Sequence, residues 1–123
     1  MRKIISLMLF LSTALAIISF KPSPKTIVGH WRITYKSGTI ATVDFMADGS
    51  FLTKIPSENF AVGGKYKLSK SVLSISDTSC NADYWGTYKI AFHGNDSIYS
   101  EVIADTCSGR KAAAHKVTLV RYK

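Results

Sequence analysis

The chain has 123 residues, with 16 Lys and Arg against 8 Asp and Glu, a formal net charge of +8. That length holds one core, so a nucleotide-binding domain joined to a substrate domain, or an α/β barrel, is excluded. No phosphate loop, CxxC pair or HExxH occurs, and neither a cofactor nor a metal is expected.

The first element in chain order is an export signal. Arg2 and Lys3 precede an apolar run over residues 4–20 broken only by Ser6, Ser12, Thr13 and Ser19. This is the charged then apolar order of a signal peptide, and Ala14-Leu15-Ala16 offers small residues where a signal peptidase cuts. Cleavage after Ala16 or near Ser19 fits equally. The competing reading is an uncleaved anchor, the only membrane association expected, although the run is at the short limit for a bilayer span. We therefore assign residues 1–20 to the signal, 21–26 to a linker stiffened by Pro22 and Pro24, and 27–123 to one β-domain. Without residues 1–20 the balance is 14 basic to 8 acidic. The lysines are dispersed and an exported protein rarely meets nucleic acid, so a solvated cationic surface is the reading and no nucleic-acid partner is expected. The oligomeric state stays open.

The remainder reads as strands, rich in Thr, Ser, Tyr, Val and Ile with turn residues every 8–12 positions. Residues 28–35 place Trp31, Ile33 and Tyr35 on one face. Residues 39–46 do the same with Ala41, Val43 and Phe45. Ala47-Asp48-Gly49 reads as a three-residue hairpin loop with Gly49 left-handed. That register sets Phe45 against Phe51, Val43 against Thr53 and Ala41 against Ile55. Residues 56–64, with Phe60 and two adjacent glycines, read as the longest loop. Residues 65–69 and 72–76 form the next hairpin, with Leu68 opposite Leu73 and Tyr66 opposite Ile75. Residues 77–83 form a polar loop holding Cys80. Residues 84–92 alternate, with Tyr88, Ile90 and Phe92 inward, and 94–96 turn the chain into a strand over 97–103. Ala112-Ala113-Ala114 supports one helical turn or a close-packed lead into a last strand over 116–122.

Two cysteines in an exported domain imply a disulfide. Cys80 and Cys107 lie just beyond the open end of the hairpin around Gly94-Asn95, nearly opposite each other. Zinc would need four ligands, and neither cysteine has a neighbouring ligand pair. Eight antiparallel strands remove their sheet edges by closing, so the expected fold is an all-β, eight-stranded up-and-down barrel.

Gly29-His30-Trp31 in the first strand, with Arg121 late in the last, resembles the lipocalin (calycin) signature. In that superfamily the late Arg packs across the Trp ring at the closed end of the barrel. More closely, the chain resembles short bacterial secreted lipocalin-like domains, through Gly29/Trp31, Cys80, Gly86-Thr87-Tyr88 and Asp105-Thr106-Cys107-Ser108-Gly109-Arg110 over residues 27–122. The chain is shorter than the larger lipocalins, and its short loops argue against a deep, wide cup.

Catalytic groups are sparse. His30, His93 and His115 are the only imidazoles, and a Ser108/His115/Asp105 set lacks a nucleophile elbow. Asp77, Asp83 and Asp105 flank the cysteines, and an ion pair from one of them to Arg110 is the simplest account. The inward aromatic set is the candidate ligand-binding set: Tyr35, Phe45, Phe51, Tyr66, Tyr88 and Phe92. Such rings either line a mixed cavity or fill the core. The resemblance and these rings imply a non-enzymatic carrier or sensor of a small, mostly apolar ligand. The alternative is an exported protein-binding barrel with a filled core, an inhibitor or structural module, acting through the loop with Phe60 and the tail over residues 21–25. An enzyme with a site at the barrel mouth ranks third.

Overall fold

The structure is a computed structural model and describes residues 26–122, so the signal and nearly all of the linker lie outside the described residues. The strands are β1 (Gly29–Thr34), β2 (Ile40–Phe45), β3 (Ser50–Ile55), β4 (Phe60–Ser69), β5 (Val72–Asp77), β6 (Gly86–His93), β7 (Ser97–Ala104) and β8 (Val117–Arg121). A 3-10 turn (Pro56–Glu58) joins β3 to β4, and helix α1 (Ser108–Ala114) joins β7 to β8. Each strand pairs antiparallel with the next, and β1 pairs with β8, so the barrel closes in sequence order. Closure gives every strand two partners and leaves no sheet edge open to another chain.

The hairpin registers follow the apolar alternation. Phe45 opposes Phe51 and Val43 opposes Thr53. Leu68 opposes Leu73 and Tyr66 opposes Ile75. A one-residue slip in either hairpin would turn these side chains outward. Gly49, at φ +88°, takes the left-handed position of the β2–β3 turn.

Three boundaries differ from the sequence reading. Residues 60–64 are not loop. They extend β4, with Phe60 opposite Ile55 and Gly64 opposite Phe51, and Asn59 makes the turn at φ +50°. The glycine pair reads as a breaker in sequence but here permits close approach, since a Cβ on Gly64 would collide with the Ser76 carbonyl and the Phe51 ring. Strand β6 starts at Gly86 rather than at residue 84, because the Tyr84 N–H donates to the Asn81 carbonyl in a turn. The helix covers seven residues instead of one turn round the alanines. Its added residues are held by contacts outside the helix, described below.

Trp31, Tyr88 and Ile98 are the largest fully buried side chains, and Phe45, Ile90 and Leu119 pack with them. The start of β1, the end of β8, the turns near residues 46–49 and 94–96, and Trp31 gather at the closed end. The 3-10 turn, the loop after β5 and α1 gather at the open end, as the alternating strand directions require. At the closed end the Trp31 indole N–H donates to the Ile27 carbonyl at 2.7 Å. The Arg121 guanidinium lies 4.2 Å from the centre of the indole ring. It also donates to the carbonyls of Thr26, Val28 and Asn95 at 2.8–3.0 Å. Gly29, at φ +138°, is required here twice over: by its backbone angle, and because a Cβ would fall on the guanidinium. One side chain thus ties the entry to β1, the β6–β7 turn and β8 across the indole face.

The Cys80–Cys107 disulfide is present, with Cα atoms 5.9 Å apart and a sequence separation of 27. Loop-closure entropy at that separation gives about 3–4 kcal/mol. The double variant Cys80→Ser/Cys107→Ser is therefore expected to lose about that much in urea unfolding, with a slope equal to or steeper than the parent's because the unlinked unfolded chain exposes more surface. An unchanged midpoint would show that the open end holds without its covalent link.

Candidate functional site

The open half of the barrel contains a cavity of about 470 Å³, and a smaller void of about 60 Å³ shares its deeper walls. Ile33, Val43, Phe51 and Ile75 supply the inner apolar wall. Ile55, Phe60 and Val62 supply the wall near the mouth, and Ala113 and Ala114 of α1 close over it. The alternation of β1 to β5 sends these side chains inward, while the small alanines let the helix sit close to the barrel. The cavity is of the size and apolar character of small-molecule sites.

The helix is held at the mouth by a buried charge cluster. Arg110 donates from Nε and Nη2 to both oxygens of Asp105, at 2.7 and 2.9 Å, and from Nη1 to Asp77 at 3.1 Å. The side chains of Arg110, Asp105 and Asp77 are 7%, 0% and 3% exposed, so this is a desolvated pairing rather than a surface ion pair. The Tyr88 hydroxyl and the Cys107 N–H also donate to Asp105, and Ser79 donates to Asp77 from both its N–H and its hydroxyl. Every buried side-chain polar atom among the described residues has a partner. A Cβ on Gly86 would collide with the Asp105 carboxylate, which explains glycine at the start of β6.

The electrostatics follow from these contacts. Burial pushes the Asp105 carboxyl upward, but the hydrogen bonds from Arg110, Tyr88 and Cys107, with the Arg110 charge, outweigh it and hold the group below the usual range. Hydrogen bonding to Asp105, then Asp77, fixes Arg110 more firmly in its charged form, against the effect of burial. Burial raises the Tyr88 hydroxyl, and the Asp105 hydrogen bond and charge raise it further. Tyr88 is therefore a neutral donor at any physiological pH. Burial, and then the charge of Glu58, raise the Tyr35 hydroxyl, which donates to the Ala113 carbonyl at 2.8 Å and so pins the end of α1 to the barrel rim.

Of the six aromatic residues singled out from the sequence, Tyr35 and Phe51 line the cavity and the other four do not. Phe45 is core at the closed end, with the Tyr66 ring edge-on at 4.9 Å. Tyr66 sends its hydroxyl to the Met46 carbonyl. Tyr88 is wholly buried with its hydroxyl on Asp105, and Phe92 packs partly buried against the core. Glu58, Asp77, Ser79, Val62 and the helical alanines line the cavity without having been singled out for it. The cysteine-flanking motif with Arg110 was the one sequence signal for this wall, because it places α1 there.

Ser108, His115 and Asp105 form no hydrogen-bonded chain. Asp105 is occupied as described, and His115 Nδ1 accepts the Val102 N–H at 3.0 Å. His30 instead contacts Asp44 at 2.6 Å on the outer face. Among the described residues no group of three or more His, Cys, Asp or Glu is placed to hold a metal ion.

A closed, all-antiparallel, eight-stranded barrel with a cavity in its open half fits a lipocalin-like fold. No protein-family model matches the chain, and no curated protein matches it.

Proposed function

We propose that this is an exported, non-enzymatic, lipocalin-like barrel that binds one small, mostly apolar molecule in the cavity behind α1. The observation that carries the reading is the cavity itself, about 470 Å³ of chiefly apolar space inside a closed barrel. The charged then apolar N-terminal sequence and the disulfide support export. The link to lipocalins rests on the Gly29, Trp31 and Arg121 arrangement together with the barrel, and is in part an analogy of fold.

Native mass spectrometry of the protein purified from its own host tests the reading. A single co-purifying molecule at one per chain is expected. Val62→Trp, which puts an indole into the cavity, should melt close to the parent and come without it. A molecule retained equally by Val62→Trp would overturn the assignment to this cavity. A second reading, a protein-binding barrel, draws on Phe60, which is 41% exposed beside the mouth. An empty protein that captures a defined partner, and loses it on Phe60→Ser, would favour that reading.

A further inference from the structure

The charged groups at the cavity wall are Glu58, Asp77 and Arg110. Arg110 has two of its N–H groups on Asp105 directly behind it and a third on Asp77. The ionised groups that line the cavity are thus two carboxylates and one guanidinium, and that guanidinium is already paired with Asp77 and with Asp105 behind it, although the chain as a whole has a net charge of +8. Asp77 already accepts from Arg110 and from Ser79 twice. Glu58 is different: it is exposed on the 3-10 turn at the mouth and has no ion-pair partner among the described residues. Three aromatic rings, Tyr35, Phe51 and Phe60, line the same space. Aromatic faces attract cations, and do so more strongly where water is displaced. Lys36, beside Tyr35 in the β1–β2 turn, and Lys111, beside Arg110 on α1, are exposed cations at this end of the barrel, but neither lines the cavity and neither forms an ion pair with Glu58.

We infer that the molecule bound here is a cationic amphiphile, an ammonium group on an apolar body, with the ammonium at the mouth against Glu58, Tyr35 and Phe60 and the body in the apolar interior. An anionic amphiphile such as a fatty acid would place its carboxylate against Glu58 and an already neutralised Arg110. The inference rests on the cavity being a ligand site, and it goes further by assigning the ligand's charge.

Three probes with one tail separate the two claims: decyltrimethylammonium, decanol and decanoate, each titrated below its micelle concentration into the full disulfide-bonded protein. The ammonium is expected to bind one per chain and about tenfold tighter than decanoate, with decanol between them. Glu58→Gln, an exposed substitution compatible with folding, should lower the affinity for the ammonium severalfold and leave decanol unchanged. Decanoate binding as tightly as the ammonium, or Glu58→Gln leaving the ammonium affinity unchanged, would overturn the cationic assignment while leaving the cavity reading intact. If none of the three binds, or if Val62→Trp binds all three as the parent does, the cavity reading itself fails.

Discussion

Arg110→Met is expected to destabilise the protein by about 3–5 kcal/mol, because it leaves the Asp105 and Asp77 carboxylates buried without their cation. The methionine replaces most of the lost volume, so the loss reports charge rather than packing. The pH dependence should distinguish this from a cavity effect. In the parent the folded-state pKa of Asp105 is depressed. Its contribution is therefore present above the unfolded carboxylate value of about 3.9 and is lost as pH falls through the folded value. In Arg110→Met the main lowering influence is gone while burial remains, which moves the folded pKa upward. Stability of the variant should then rise as pH is lowered from 7 toward 5, over a range where Asp105 contributes no change in the parent. Urea unfolding of both proteins at several pH values checks this. Parallel curves would mean that the cluster contributes only shape. Replacing all three charged groups by apolar residues together is expected to cost much less than Arg110→Met alone.

Trp31→Ala is expected to cost about 3–5 kcal/mol, since the indole is fully buried and its loss empties the closed end. Arg121→Lys should cost about 1 kcal/mol. The lysine keeps the charge but loses the plane that lies on the indole and the fork that reaches three carbonyls. A double-mutant cycle isolates the shared part, and a coupling of about 0.5–2 kcal/mol is the expected result. Zero coupling would mean that Arg121 acts through the loop carbonyls alone. The two sites close opposite ends of the barrel with different physics: a desolvated charge cluster at the mouth and a cation on an aromatic face at the base.

The two ends also explain why the sequence motifs stand where they do. Gly29, Trp31 and Arg121 are separated by up to 92 positions but meet because β1 and β8 are neighbours, with Trp31 directly opposite Arg121. Tyr88, Asp105, Cys107 and Arg110 form one hydrogen-bonded unit packed against Gly86. The glycine vacates space for a carboxylate, the tyrosine and the cysteine N–H donate to it, and the arginine neutralises it.

The barrel, its hairpin registers and the disulfide were legible because they depend on local patterns. Alternation with period two fixes which face of a strand is inward, turn residues fix where it ends, and two cysteines leave one pairing. The sequence by itself therefore determined strand number, the registers of the β2–β3 and β4–β5 hairpins and the inward position of Trp31, Tyr35, Phe51 and Tyr88, while the pairing of residues 60–64 with β3 escaped it. It did not determine which inward rings face a cavity and which face the core. That depends on depth along the barrel: Phe45, Tyr66 and Phe92 lie away from the mouth, and Tyr88 spends its hydroxyl on Asp105, whereas Tyr35 and Phe51 face the cavity. Only the tertiary structure decided the position of α1 as well. Seven residues make a helix too short to stand alone. It persists where it does because Cys107, Arg110 and the Ala113 carbonyl each bond to a different part of the barrel, through contacts 27, 33 and 78 positions away in the chain.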